Sequence, residues 1–200
     1  MEELKKQLKE KKIGSLYLFT GPEKFLTRYY VNQMLEMLLD ENTKTFNYTE
    51  FSGKVSLQAV SDAISIYPAF ARRRVVVVRE STLLKQGAKE TDWNVFFKSL
   101  PDYLCLIFIQ EEVDKRVSFY KAVRNHGLII ECDRQDESAL TKWVINRLSR
   151  YRKQIDEKDA AYLVALLEPD MTFMDLELEK LARYAGNSAH ITRNMIDTVA

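Results

Sequence analysis

Cysteine, histidine, proline, glycine and net charge are all scarce in this 200-residue chain, and each shortage removes a class of protein. Two cysteines cannot staple a disulfide-dense scaffold. Cys105 and Cys132 lie inside the apolar runs LCLIFI and LIIECD, where a thiol behaves as a small buried hydrophobe. With only two histidines, His126 and His190, and no C-x-x-C or H-x-x-x-H spacing, no metal site is expected. Six glycines and four prolines exclude collagen-like and low-complexity classes. Lys+Arg 30 against Asp+Glu 29 leaves a formal charge of +1, so no global field draws the chain to nucleic acid or an anionic membrane. Apolar runs such as Val75 to Val78 are far too short to span a bilayer. The N-terminus, MEELKKQLKEKK, sets Leu4 and Leu8 at helical spacing but lacks the apolar stretch of a secretory signal. These absences lead to the expectation of a cytoplasmic protein without a membrane partner.

What is present is 46% hydrophobic and 30% charged residues, enough for one or two compact units with a sizeable core. Over the first two thirds, short apolar runs alternate with segments of helical period, which predicts an α/β fold whose mostly parallel sheet is joined by crossover helices. Leu16 to Phe19 reads as a strand, Thr20-Gly21-Pro22 as a turn, and a helix follows with Phe25, Leu26, Tyr29, Tyr30, Met34, Met37 and Leu38 on its apolar side. A second strand is expected within Thr43 to Phe51, through Phe46 and Tyr48. Ser56 should cap a helix through Leu57, Val60, Ala63 and Ile64, ending near Ile66 because Pro68 disfavours continuation. Val75 to Val78, all β-branched, belongs at the centre of a sheet covered on both faces. A helix around Trp93 to Leu100, the strand Tyr103 to Ile109, a helix near Val117 to Asn125 and the strand LIIEC complete a sheet of about five strands.

After Cys132 the pattern changes, and no strand is expected from Asp133 onward. Leu140, Val144 and Leu148 share one helical face, Leu163, Leu166 and Leu167 should face inward on a second helix stopped by Pro169, and Met174, Leu178, Leu181, Ala182 and Ala185 line a third. Thr192 opens a fourth with Met195, Ile196 and Val199. The expected organisation is an α/β domain at 1–135 and a small all-helical domain at 136–200. The absence of a C-cap signal near Ala200 leads to the expectation that the natural protein continues.

Strand, glycine turn and helix is where mononucleotide-binding folds cradle phosphate. Counting G-x-x-x-x-G-K-[ST] from Gly21, however, puts Leu26 at the second glycine, Thr27 at the lysine and Arg28 at the Mg²⁺-binding hydroxyl. Lys24 stands elsewhere in the loop, where it reads as a solvated helix-start lysine or an anion contact. After Val75 to Val78 the chain continues Arg79-Glu80, so the first position for a metal-holding carboxylate carries a cation. Glu111, Glu112 and Asp114 read as a solvated loop. No nucleotide, metal or other cofactor is expected.

In order along the chain, Tyr17 to Leu26, Tyr67 to Val78, Lys115 to Cys132 and Asp175 to Gly186, the last with an E-K-L-x-x-Y-x-G core, resemble the delta-subunit family of the bacterial DNA polymerase III clamp loader. That family belongs to the AAA+ superfamily and has lost ATPase function. The resemblance implies a degenerate AAA+ domain followed by a helical lid domain, with the C-terminal collar domain absent. It implies a non-catalytic subunit that binds the ring-shaped sliding clamp, the beta subunit, and opens one of its interfaces. Its partners would be the gamma or tau motor subunits and delta-prime, with primer-template DNA reached through the assembly. Matching residue by residue puts the apolar clamp contacts at Tyr67, Ala69 and Phe70. Ala69 departs from the larger aliphatic usual there, which implies a weaker pocket contact.

The residues support such an anchor independently. Pro68 breaks the helix, so an aromatic pair can project from a rigid corner. On the residues alone, Phe70 packing inward under the sheet is the simpler reading; the resemblance implies exposure of Tyr67 and Phe70. Arg72, Arg73 and Arg74 admit three readings: a solvated start to the strand, a rim that steers an acidic partner, or a phosphate contact. Arg147, Arg150, Arg152 and Lys153 form a second basic set, suited to a helix C-terminus or to DNA. Two alternative functions remain open at this level, a divergent P-loop ATPase using Lys24 and Glu80, and a DNA-binding module using the arginines.

Overall fold

A computed structural model describes residues 1–83 and 91–199, which divide into two compact units, residues 1–133 and 134–200. The first is built on a five-stranded parallel sheet of order β2-β3-β4-β1-β5, with β1 at Leu16–Thr20, β2 at Tyr48–Ser52, β3 at Arg74–Arg79, β4 at Leu104–Ile109 and β5 at Leu128–Glu131. Its three middle strands are apolar at nearly every position because both faces are covered, and Val75 to Val78 are essentially without solvent contact.

Alternation along the strands divides the core into two layers. Leu16, Leu18, Val76, Val78, Leu104, Leu106 and Phe108 face one side, with Val60 and Ile64 of α4 (Leu57–Ser65), Trp93 and Phe97 of α5 (Trp93–Lys98), and Phe119 and Val123 of α6 (Ser118–His126). Phe119 meets Trp93 and Phe108 edge to face, each with ring centroids 5.0 Å apart, the arrangement their quadrupoles favour. On the other side, the Tyr17 hydroxyl donates to Gln7 Oε1 (2.6 Å) on α1 (Glu2–Glu10). The long helix α2 (Lys24–Leu38), with Val31 and Met34 buried, packs against β3. Burial pushes the Tyr17 hydroxyl up to about 12 and the enclosed Cys105 thiol likewise, the latter partly offset by Arg73. Both cysteines are free and buried.

The second expected strand is corrected at its start. Lys44–Asn47 is a helical turn, α3, and β2 begins only at Tyr48. The Asn47 side chain bonds its own turn, Nδ2 donating to Thr43 O (2.9 Å), which favours the turn over an extended backbone.

The second unit contains α7 (Glu137–Arg150), α8 (Glu157–Leu166), α9 (Met171–Tyr184) and α10 (Arg193–Val199) around Leu140, Val144, Leu148, Leu163, Met174, Leu178 and Ile196. Asp136 and Asp170 cap α7 and α9 by accepting backbone N–H bonds. Two expectations fail here. Gln154–Ile155 and His190–Ile191 form a two-residue parallel ladder, β6 and β7, too short to leave a periodic signal. Leu166 is exposed, because Val164 rather than Leu166 shares the inward face with Leu163.

The second basic set divides. Arg147 forms a bidentate pair with Asp175, and the Lys153 ammonium is enclosed, donating to Gly186 O and Ser188 O, each at 2.6 Å. These two cations tie parts of the unit together, while Arg150 and Arg152, the other two of the set, are exposed. No described helix is long and apolar enough to cross a membrane, and no group of three or more metal-ligating side chains is found among the described residues.

Candidate functional site

Ser56 Oγ accepts the Ala59 N–H (3.1 Å) at the start of α4, and the helix ends at Ser65 where Ile66 turns extended. Pro68 lacks an N–H and disfavours helical backbone at Tyr67, so the chain leaves the helix axis as a corner. Ile66, Tyr67 and Phe70 stand 52%, 75% and 95% exposed, while Ala69 is half-buried. Neither aromatic packs under the sheet. The Tyr67 ring leans on Tyr103, centroids 4.7 Å apart, and the Tyr103 hydroxyl donates to Ile64 O (3.3 Å).

Phe70 adopts φ +55°, a left-handed conformation that is unfavourable for a bulky L-residue by about 1–2 kcal/mol. Strain of this kind persists only where neighbours over-determine it. Asn47, wholly buried, accepts the Ala69 N–H on Oδ1 and donates from Nδ2 to Ala69 O, both at 2.8 Å. The Arg74 guanidinium donates to Ala63 O and Phe46 O (2.8 Å each) and to Thr49 Oγ1 (2.9 Å), tying the end of α4 to α3 and β2.

The arginine run therefore divides. Arg74 is 3% exposed, and Arg73 donates to Ile13 O (3.2 Å), Gly14 O (2.6 Å) and Leu104 O (3.1 Å), so both are structural ties rather than solvated, rim or phosphate-binding cations. Five of their hydrogen bonds go to backbone carbonyls and one to the Thr49 hydroxyl, while Arg73 Nε is buried without a hydrogen-bond partner among the described residues. Only Arg72 of the three is exposed. Sequence reasoning missed Asn47 and Tyr103, whose partners lie 22 and 39 residues away and leave no local pattern.

At the C-terminal edge of the sheet, Gly21, Lys24, Thr27, Arg28, Arg79 and Glu80 help line a cavity of about 350 Å³. The glycine bend exists, at φ +113°, but its N–H groups are already bonded. Gly21 N–H donates to Glu111 O and Glu23 N–H to Cys132 O (2.9 Å each), Lys24 N–H to Pro22 O (3.0 Å), and Phe25 N–H to the Glu23 carboxylate (3.1 Å). A carboxylate of the chain's own thus caps the helix end where an anion would sit. Leu26 and Thr27 are buried, Arg28 is exposed near the Phe25 ring, and Lys24 Nζ lies 3.4 Å from Glu111 Oε2. Glu80 accepts Gln110 Nε2–H (3.1 Å) and Glu111 N–H (2.9 Å), so both carboxylate oxygens brace the strand ends. Lys24 and Glu80, the two groups the ATPase reading uses, are thus each engaged with the chain itself.

A parallel 2-3-4-1-5 sheet with a glycine bend after β1, followed by a helical region, is the architecture of the AAA+ class. The Thermotoga maritima RuvB P216G mutant shares it at TM-score 0.53 and 13% identity, over 98% of this chain and 65% of that one. A Bacillus subtilis structure described as DNA clamp loader delta protein (YqeN) superposes at TM-score 0.74 and 22% identity, covering 100% of this chain and 62% of its own. Residues 17–133 match the family described as DNA polymerase III, delta subunit, and the chain belongs to that family. The Bacillus subtilis (strain 168) protein DNA polymerase III subunit delta is 25% identical over 198 residues, or 94% of this chain and 57% of that protein. The chain thus spans a little under two thirds of the length of these relatives.

Proposed function

We propose that this chain carries the clamp-engaging part of a clamp-loader delta subunit, and that Tyr67, Ala69 and Phe70 insert into an apolar pocket of the sliding clamp. Residues 1–135 act as a degenerate AAA+ domain bearing the anchor, and residues 136–200 as its lid. The observation that carries this reading is a phenylalanine 95% exposed, in a strained conformation, held by a wholly buried polar side chain. A ring kept out of its own core at such cost is suited to another protein's pocket.

Opening a ring requires that the anchor bind the open interface more tightly than the closed one, since equal affinity shifts nothing. The chain acts by this difference in binding and hydrolyses no ATP itself. Hydrolysis belongs to gamma or tau motor subunits, assembled with delta-prime through the collar of the longer family members, on primer-template DNA in the bacterial cytoplasm. Arg72, beside the anchor in sequence, is placed to steer an acidic rim.

The test is equilibrium binding of the sliding clamp to wild type and to the Tyr67→Ala, Phe70→Ala double variant. Two rings each contributing roughly 1.5–3 kcal/mol predict a loss of at least about 100-fold. The far-ultraviolet circular dichroism should stay unchanged, because neither ring is part of the core. A folded double variant that binds like wild type defeats the assignment.

A further inference from the structure

We infer that Asn47 is a positioning residue: its side-chain amide sets the Ala69–Phe70 turn in its clamp-binding shape before the clamp arrives. The inference rests on the proposed role of Tyr67 to Phe70. Asn47 touches no solvent, and it reads the backbone of Ala69 on both sides, accepting from its N–H and donating to its carbonyl at 2.8 Å. That carbonyl belongs to the peptide unit whose nitrogen is Phe70's, and the φ of +55° is a rotation measured directly from this plane. Fixing the plane fixes the axis and the reference from which φ turns the Phe70 side chain out of the chain.

The amide is itself fixed. Nδ2 also donates to Thr43 O (2.9 Å), and the Phe46 carbonyl beside it accepts from Arg74, whose guanidinium also holds Ala63 O at 2.8 Å. A 22-residue separation is thereby closed by one side chain, and α3, the end of α4 and the turn are joined by hydrogen bonds. The Phe70 ring is 95% exposed while the backbone behind it is bonded by Asn47, so the turn is held from behind and open in front. An anchor preset in this way binds without an ordering cost, and an anchor competent only part of the time binds more weakly by that fraction.

The experiment is a double-substitution cycle read by clamp affinity, with the thermal midpoint recorded for every variant. Asn47→Ala, which removes the amide without touching the exposed surface, should weaken clamp binding roughly tenfold by lowering the competent fraction of the turn. In the Phe70→Ala background the same substitution should change affinity by less than about twofold, because the ring that Asn47 positions is gone. The drop in thermal midpoint should be alike in both backgrounds, which separates positioning from mere destabilisation. If circular dichroism shows Asn47→Ala to be unfolded, Asn47→Asp makes the same comparison. It keeps the size and the acceptor for Ala69 N–H but loses the donor to the Ala69 and Thr43 carbonyls. An equal loss in both backgrounds, or full affinity for the Asn47 variants where Phe70→Ala has lost it, overturns the positioning role alone. Full affinity in Phe70→Ala overturns the docking role of the turn and the inference with it.

Discussion

Phe70 and Gly21 both have positive φ, for opposite reasons. Gly21 is there because nothing larger fits: a Cβ at this position would meet the Cys132 carbonyl carbon at 2.7 Å, and that backbone cannot move without breaking the bond from Glu23 N–H. Gly21→Ala should therefore destabilise the first unit by roughly 1–3 kcal/mol, read as a lower denaturation midpoint. An unchanged midpoint would show that the bend relaxes at no cost. Phe70 has a bulky side chain where glycine would be unstrained, and its backbone is held there by Asn47. The sequence exposes the first case, since Thr20-Gly21-Pro22 marks a bend by composition. It cannot expose the second. Three consecutive arginines likewise read as one charged run, yet Arg74 and Arg72 differ from buried to solvated two residues apart, because only Arg74 meets Ala63, Phe46 and Thr49.

At the scale of elements, the strands were legible because period-two and fully apolar runs both report burial directly, from Leu16 through LIIEC. α3 was not: Phe46 and Tyr48 suit a strand by propensity, but Asn47 turns back on Thr43. β6 and β7, two residues each, fall below any periodicity. The loop between β1 and α2 forms a self-contained cap. Glu23 supplies the anion, Glu111 and Cys132 the acceptors, and Lys24 lies beside Glu111. Titration with Mg²⁺ and ATP should accordingly give no heat and no hydrolysis at millimolar nucleotide. Micromolar affinity abolished by Lys24→Ala would reverse the reading of this loop and restore the ATPase alternative.

At the scale of the molecule, the first unit combines a sheet buried on both faces with a corner that is apolar and unburied. The sheet supplies rigidity: Val75 to Val78 follow the arginines directly, and Arg73 and Arg74 fasten the corner to β4, α3 and α4. A lever needs this division between a stiff body and an exposed tip, whereas an ATPase needs the opposite, open N–H groups at the loop and free carboxylates at the strand ends. The proposed function thus stands on a contact at Phe70. The most direct measurement replaces Phe70 by photoreactive p-benzoylphenylalanine and irradiates the protein with the sliding clamp, with the same reporter at Val95, 64% exposed on α5, for comparison. A crosslink from position 70 into an apolar pocket of the ring, several-fold above that from position 95, is the predicted result. Equal yields from the two positions, or none from position 70 while the clamp remains bound, would contradict it.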